Sequence, residues 1–215
     1  MNSSAPLNAG PGAPDECSRL RLFVALRVPG AVQREIGKAQ TELRRALTPG
    51  AASWTREEQF HLTLRFLGDV DASRVGELTE ALRGACGGFA PMKLCAKQIG
   101  FFPNARAPRV LWVGIQDAAG NLPALQMAIV RATAEFGSQP DGKKFAAHIT
   151  LARLKPLNPS EAATLAAAVD EYAAKVFGEW ETATVDLMRS ELLRDGARHT
   201  LVASLPLSGG TVARK

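Results

Sequence analysis

The sequence is poor in cysteine and histidine and has no long apolar run. Its three cysteines, Cys17, Cys86 and Cys95, are odd in number and form no C-x-x-C pair, which disfavours a disulfide framework and a cysteine-based zinc site. No apolar stretch approaches the roughly 20 residues that a membrane span needs, so no membrane-spanning segment is expected. The first residues lack the basic and apolar regions of a secretory signal. Together these absences predict a cytoplasmic domain.

The overall composition is that of an ordinary globular domain. Of the 215 residues, 46% are hydrophobic and 22% are charged, which excludes a disordered or fibrous chain. Lys plus Arg number 26 against 21 acidic residues, giving a formal net charge of +5. This balance suits an anionic partner such as RNA or a phosphate-bearing small molecule, although a basic surface kept for solubility explains it equally well. No Lys/Arg-rich run marks a nucleic-acid tail.

The period of the apolar pattern alternates along the chain between that of strands and that of helices. Residues 1–18 form a predicted flexible leader, 19–208 a single domain and 209–215 a flexible tail. Strands are predicted over 20–26, 60–67, 92–99, 109–115, 145–152, 182–192 and 199–207, with a turn at 195–196. Helices are predicted over 32–47, 73–86, 122–136 and 159–172. This pattern favours an α+β fold with two pseudo-symmetric lobes, each with an antiparallel sheet and two helices, and an active cleft between them.

One tetrapeptide, His-x-Thr-Leu, occurs twice, at 61–64 and at 148–151, and uses two of the three histidines. Both copies fall in predicted strands, where successive side chains point to opposite faces of the sheet. The histidine and threonine of each copy therefore share one face, while the apolar residues point to the core. If the lobes are related by a pseudo-twofold axis, four side chains converge in one cleft: His61, Thr63, His148 and Thr150.

Two histidines across a cleft provide the minimum needed for acid–base hydrolysis of a phosphodiester. Near neutral pH one imidazole can accept a proton from the attacking water while the other protonates the departing ribose oxygen. The threonine hydroxyls can donate hydrogen bonds to phosphate oxygens. A zinc site would need a third ligand, and neither motif strand contains an acidic residue or a cysteine beside its histidine. The sequence therefore predicts neither a metal nor another cofactor.

The wider context of both motifs resembles the 2H phosphoesterase superfamily and, within it, the RNA 2′,3′-cyclic phosphodiesterases, also described as 2′-5′ RNA ligases. The similar stretches are residues 21–26, 54–55, 61–68, 100–103, 109–114, 148–153 and 187–193. This resemblance implies a bilobal fold that opens a 2′,3′-cyclic phosphate at an RNA 3′ end to a 2′-phosphomonoester. The reverse reaction, 2′-5′ ligation, would use a 5′-hydroxyl in place of water. RNA ends or related nucleotides are the implied partners, and a monomer is the default.

The resemblance also implies roles for the motif residues. His61 would be the acid that protonates the 3′ oxygen, and His148 would be the base that activates water. Thr63 and Thr150 would hold phosphate oxygens.

Two further residues carry over from the resemblance, each five positions after its motif histidine. Arg153 would contact the phosphate, and Phe66 would stack on the terminal base. Strict alternation would put both on the core face, so each strand is expected to end or twist before them. A plain core position remains the other interpretation of Phe66. Trp54 and Trp112 would either flank the cleft or pack in the interior.

The chain departs from the family pattern at two positions. Ala147 stands where relatives often have a proline before the second motif histidine. His199 stands where they often have a tyrosine, and it is expected on the rim or on a strand surface. Arg65 and Arg106 are expected to be solvated residues at a basic rim.

Other functions remain open at this point. The cleft could belong to an RNA- or nucleotide-binding module without turnover. It could also belong to a phosphodiesterase of small cyclic nucleotides or of 2′-5′-linked oligonucleotides. The paired histidines favour an enzyme, because binding alone does not require two proton-transfer groups.

Overall fold

The computed structural model describes residues 18–139, 144–193 and 196–209. Within these ranges the strands are β1 (Arg19–Arg27), β2 (Ala52–Trp54), β3 (His61–Asp71), β4 (Met92–Phe102), β5 (Val110–Asp117), β6 (His148–Leu154), β7 (Val176–Thr182), β8 (Thr184–Leu193) and β9 (Gly196–Pro206). The helices are α1 (Gly30–Arg44), α2 (Val75–Gly87), α3 (Leu122–Ala132) and α4 (Pro159–Asp170). The predicted leader, apart from Ser18, and the predicted tail, apart from Gly209, lie outside the described residues, as does Asp195 of the predicted turn.

All seven predicted strands and four predicted helices occur, and two further strands were not predicted. Strand β2 has only three residues, too few to show a side-chain period. Strand β7 is interrupted by Gly178, which adopts a φ of +150° where the pairing with β4 shifts register. Helix α3 ends earlier than predicted, because Thr133 leaves helical geometry and its hydroxyl donates to the carbonyl of Ile129. Strand β6 begins at His148 rather than at Phe145.

The strands form one antiparallel sheet in the order β7-β4-β5-β6-β3-β1-β8-β9, with β2 also paired to β6. We call β1, β3, β8 and β9 lobe 1, and β2 with β4 to β7 lobe 2. The lobes join where β3 meets β6, at a single paired position, Leu62 facing Ile149. On either side of this pair the two strands diverge, so a cleft opens between the lobes.

Two of the helices, α1 and α3, pack on the lobe opposite to that of the strand before them. Helix α1 follows β1 of lobe 1 but packs against β7 and α4 of lobe 2. Helix α3 follows β5 of lobe 2 but packs against β3 and α2 of lobe 1. The apolar face of each helix covers the sheet, burying Ile36 and Leu43 of α1 and Leu125 and Ile129 of α3 almost completely. The fold is therefore the predicted bilobal α+β architecture, but its lobes are not the two halves of the sequence. None of the helices in the described ranges is both long and apolar enough to cross a membrane.

Candidate active site

The two His-x-Thr-Leu motifs meet at the junction of the lobes. Leu62 and Ile149 face each other across β3 and β6, and both are completely buried. The residues before and after each of them point to the other face of the sheet. There the four motif side chains, His61 and Thr63 of β3 and His148 and Thr150 of β6, are partly buried and lie on the two sides of the junction.

Both histidine rings are oriented by the same backbone contact. Nδ1 of His61 lies 2.7 Å from the carbonyl oxygen of Gln59, and Nδ1 of His148 lies 2.7 Å from that of Ala146. Because a carbonyl can only accept, Nδ1 carries the hydrogen in each ring. Nε2 is therefore the nitrogen left for a reacting group, and no hydrogen bond to it is found among the described residues. The two lobes thus present equivalent imidazole nitrogens to one cleft.

An aromatic ring packs against each histidine and partly buries it. Phe23 of β1 lies 4.9 Å from His61, and Phe102 of β4 lies 5.0 Å from His148, measured between ring centroids. Burial disfavours the charged imidazolium and lowers both pKa values.

For His61, burial lowers the pKa from 6.5 to about 4. The hydrogen bond to Gln59 opposes this shift, and repulsion from His199 and His148 adds to it. For His148, burial again lowers the pKa, the hydrogen bond to Ala146 opposes, and repulsion from Arg153 adds. Both rings are therefore mainly neutral at pH 7 in the unliganded protein. An anion bound between them would raise both pKa values.

A β-bulge turns Phe66 toward the cleft. On β1, Ala25 faces Thr63, and the residue before it, Val24, faces Arg65, so Leu64 has no partner on β1. Leu64 and Arg65 are consequently both buried, and the alternation of faces restarts one residue out of phase. Phe66 is 60% exposed, on the same face as the motif histidine. The core position considered for Phe66 is wrong, and the expected irregularity in the strand is present.

The same bulge occurs in the second motif strand. On β5, Trp112 faces Thr150 and the preceding residue, Leu111, faces Ala152, which leaves Leu151 without a partner. Leu151 and Ala152 are both fully buried. Arg153 follows them as an exposed residue on the cleft face. The equivalent bulges explain how residues five positions after each histidine reach the cleft.

A glutamine from each of the helices α1 and α3 supports the bulge opposite it. Nε2 of Gln126 on α3 donates to the carbonyl of Leu64 at 3.3 Å. Nε2 of Gln40 on α1 donates to the carbonyl of Leu151 at 3.1 Å and to that of Thr55 at 2.8 Å. A bulge takes a backbone carbonyl out of the regular ladder, and burying it without a donor would cost free energy. These two glutamines were not predicted, since the helical pattern identifies only the apolar face.

The third histidine also reaches the site. The β8–β9 hairpin continues beyond the last pairing of β1 with β8, at Arg189. Its His199 ring lies edge-on to His61 at 5.2 Å and to Phe23 at 4.8 Å, measured between centroids. The side-chain amide of Gln59 donates to the carbonyl of Ala197 and so ties this hairpin to the first motif. His199 is therefore an inner residue of the site rather than a rim residue.

Of the three tryptophans, the two that were considered for the cleft, Trp54 and Trp112, lie on opposite faces of the sheet. Trp112 lies on the cleft face beside Phe102, at a centroid distance of 5.1 Å. Its ring covers Gly100 so closely that a Cβ there would be 2.4 Å from Cζ2 of the indole. Trp54 faces Ala152 on the helix-covered side, with the guanidinium of Arg44 5.0 Å above its ring. Only Trp112 flanks the cleft.

The prediction of a solvated rim position for Arg65 is wrong. The bulge turns this side chain inward, where it is 5% exposed. Its guanidinium donates to the carbonyls of Val130 at 2.5 Å and Ser138 at 3.3 Å, so it anchors the end of α3 and the following turn to β3. Arg106 is exposed, as predicted.

The side chains that commonly bind metals are dispersed in the part of the chain that the structure describes. Within it, no three His, Cys, Asp or Glu side chains group as a metal site requires. Independence from metal remains a prediction from the sequence.

Comparisons with known proteins place these features in one family. The family model described as LigT like Phosphoesterase matches the chain twice, over residues 26–112 and 113–199. The RNA 2′,3′-cyclic phosphodiesterase of Aquifex aeolicus is 31% identical over 157 residues, 73% of this chain and 82% of that protein. The enzyme of the same name from Archaeoglobus fulgidus is 31% identical over 177 residues, 82% of this chain and 94% of that protein.

The fold agrees with the sequence match. A crystal structure of a protein from Thermus thermophilus superposes with a TM-score of 0.72 at 27% identity, covering 88% of this chain and 99% of that one. Each segment matched by the family model contains one His-x-Thr-Leu motif, followed by the bulge at Leu64 in the first and at Leu151 in the second. The chain therefore belongs to the LigT-like phosphoesterase family.

Proposed function

We propose that this phosphoesterase opens 2′,3′-cyclic phosphates at RNA 3′ ends and leaves a 2′-phosphomonoester, without a metal ion. The observation that carries the proposal is the pair of equivalent imidazoles, each with Nδ1 hydrogen-bonded to a backbone carbonyl and Nε2 free for proton transfer. Relatives at 31% identity bear the name of this activity. The net charge of +5 suits an RNA substrate. The cytoplasmic location and the monomeric state stay predictions from the sequence.

The reaction divides between the two histidines. Nε2 of His148 accepts a proton from water as the water oxygen bonds to phosphorus. The bond from phosphorus to O3′ breaks, and Nε2 of His61 gives its proton to that oxygen. Thr63 and Thr150 stand beside the rings and donate hydrogen bonds to the non-bridging oxygens, which keeps the phosphorus between them. The same displacement with a 5′-hydroxyl in place of water gives a 2′-5′ linkage, again with release of O3′.

The low pKa of His61 is compatible with its role as acid. In the unliganded protein the ring is neutral at pH 7, because burial lowers its pKa to about 4. The cyclic phosphate is an anion, and its charge beside the ring favours the imidazolium. Substrate binding therefore favours the protonated form of His61, which is the proton donor. Arg153 on the cleft face adds a cation for the phosphate, and Phe66 offers an exposed ring on which the terminal base can stack.

The proposal is tested with a short RNA that ends in a 2′,3′-cyclic phosphate. We expect turnover to a 2′-phosphate, undiminished by EDTA, because the chemistry requires only side chains of this chain. The product is identified by its resistance or susceptibility to enzymes specific for the position of the phosphate. Tight binding of the RNA without any turnover would instead support a binding module. Turnover abolished by EDTA and restored by a divalent ion would overturn metal independence.

The pH dependence should separate the free protein from the complex. One histidine must be protonated and the other neutral, so each rate profile is bell-shaped. Burial lowers both pKa values below 6.5 in the unliganded protein, so we expect the optimum of kcat/KM to lie below pH 6.5 and the rate to fall as pH rises above it. The bound phosphate raises both pKa values, so the optimum of kcat should lie at higher pH. Coincident optima for kcat and kcat/KM would contradict this account.

A further inference from the structure

An ion pair on the cleft face of lobe 1 takes no part in the proton transfers described above. Arg27 faces His61 across β1 and β3, so both side chains start on the same face, from Cα atoms about 5 Å apart. Nε of Arg27 donates to Oδ2 of Asp186 at 2.5 Å, and Nη2 donates to Oδ1 at 3.3 Å. The hydroxyl of Ser204 also donates to Oδ1, at 2.7 Å. Asp186 thereby holds the guanidinium in one orientation.

In this ion pair the negative charge is buried and the positive charge is exposed to solvent. Asp186 is 1% exposed, whereas the side chain of Arg27 is 63% exposed. Among the described residues, no group hydrogen-bonds to Nη1 of Arg27. The contact with Asp186 raises the pKa of Arg27, which stays charged. A guanidinium that is fixed on one edge and open on the other suits a phosphate, which accepts hydrogen bonds from such a fork.

The guanidinium lies some distance from the reacting phosphorus. Asp186 is on β8, where it faces Ala25 of β1, so it draws the Arg27 side chain toward the space between β1 and β8. The strands follow in the order β6, β3, β1, β8. With neighbouring strands about 4.8 Å apart, this position is roughly 10 Å from the boundary of β6 and β3, where the histidines meet. A phosphate on Arg27 is thus a different phosphate from the one that reacts.

We propose that Arg27 binds the phosphodiester on the 5′ side of the terminal nucleoside. The preferred substrate is then an oligoribonucleotide end, because a cyclic mononucleotide has no such phosphate. This inference rests on the proposed function, which places the reacting phosphorus between His61 and His148. Asp186 acts as a positioning residue for Arg27.

The test compares three substrates: adenosine 2′,3′-cyclic phosphate, the dinucleotide ApA with a terminal 2′,3′-cyclic phosphate, and the same dinucleotide with an uncharged methylphosphonate linkage. The variant is Arg27→Gln. Its matched control is Arg21→Gln, an exposed arginine on the same strand and about 20 Å away. We expect Arg27→Gln to lower kcat/KM for the charged dinucleotide about 10- to 100-fold, the worth of one charge-assisted contact, and to leave the mononucleotide within about twofold. Arg21→Gln should match the parent protein on all three.

The methylphosphonate substrate tests the contact without any change in the protein. For the parent protein, kcat/KM should be lower for the methylphosphonate dinucleotide than for the charged one, by the same factor as the Arg27→Gln substitution lowers it for the charged dinucleotide. For Arg27→Gln, the values of kcat/KM for the two dinucleotides should be equal. An equal loss on mononucleotide and dinucleotide would overturn the inference, since Arg27 would then act on the reacting centre or on the fold. No loss on either would overturn it as well. Absence of turnover of all three substrates by the parent would overturn the proposed function, and this inference with it.

Discussion

Replacing His61 or His148 with alanine should lower kcat for an RNA 2′,3′-cyclic phosphate about 10²- to 10⁴-fold, while the protein remains folded. Each imidazole is held by one backbone carbonyl and by aromatic contacts, with Phe23 and His199 for His61 and with Phe102 for His148, and neither bears a hydrogen bond that links distant elements of the fold. The loss therefore reflects proton transfer. The double variant should be little worse than the poorer single variant, because the two groups act in one step. The measurement is single-turnover kinetics, with urea unfolding as the control for folding.

The same two variants can show which histidine is the acid. A substrate in which sulfur replaces the bridging 3′ oxygen has a leaving group that needs no proton, since a thiol has a pKa of about 8.5. With this substrate the rate of His61→Ala should recover toward that of the parent, and the rate of His148→Ala should stay low. If the rate of His148→Ala recovered instead, His148 would be the acid and His61 the base. If the rate of either alanine variant fell by less than about tenfold, the histidine replaced in that variant would be neither the acid nor the base.

The second large effect concerns the junction between the lobes. Leu62→Ala should lower the free energy of unfolding by about 2–5 kcal/mol, because Leu62 is completely buried and the substitution leaves a cavity. Its partner is Ile149, at the single paired position that joins β3 to β6. Both motif histidines are next to this pair in sequence. We therefore expect kcat of the folded variant to fall about tenfold or more, since a small displacement of one imidazole spoils the geometry of proton transfer.

Leu165→Ala is the matched control for this prediction. Leu165 on α4 is also completely buried, but it packs in the helical layer rather than at the junction. Its replacement should cost a similar free energy of unfolding and leave kcat unchanged under conditions where the protein is folded. Urea titration and kcat at saturating substrate measure the two quantities. If Leu62→Ala kept the kcat of the control, the junction would not determine the relative position of the histidines.

Much of the fold follows from local patterns that the sequence carries by itself. The period of two in the motif strands assigns Leu62 and Ile149 to the core and the histidines and threonines to the other face, as the structure confirms. The helices begin and end close to the predicted residues where local signals are strong, as at α4, where Asn158 forms a capping box with Glu161. The missed strands, β2 and β7, lack such signals, one by its length and the other because Gly178 interrupts it.

The site shows the limit of the same reasoning. Alternation predicts a core position for Phe66 and Arg153, yet both lie on the cleft face. The reason is a bulge in each strand, which shifts the alternation of faces by one residue. At the bulges the carbonyl of Leu64 accepts from Gln126, and that of Leu151 accepts from Gln40 as well as from the backbone N–H of Thr55; both glutamines lie on helices far away in the sequence. Arg65 is buried for the same reason. No local pattern contains this information, because each contact joins a strand to a helix from the other half of the chain.

By itself the sequence predicted two lobes, the two His-x-Thr-Leu motifs as the candidate site, the face on which each motif residue lies and the kind of chemistry that such side chains can perform. These properties depend on side-chain type and on a period of a few residues. Only the tertiary structure decided that α1 and α3 pack on the opposite lobe, that His199 lies against His61, and that Asp186 holds Arg27 beside the cleft. Such pairings join residues far apart in the chain, and their geometry follows from how strands order and twist in the complete sheet.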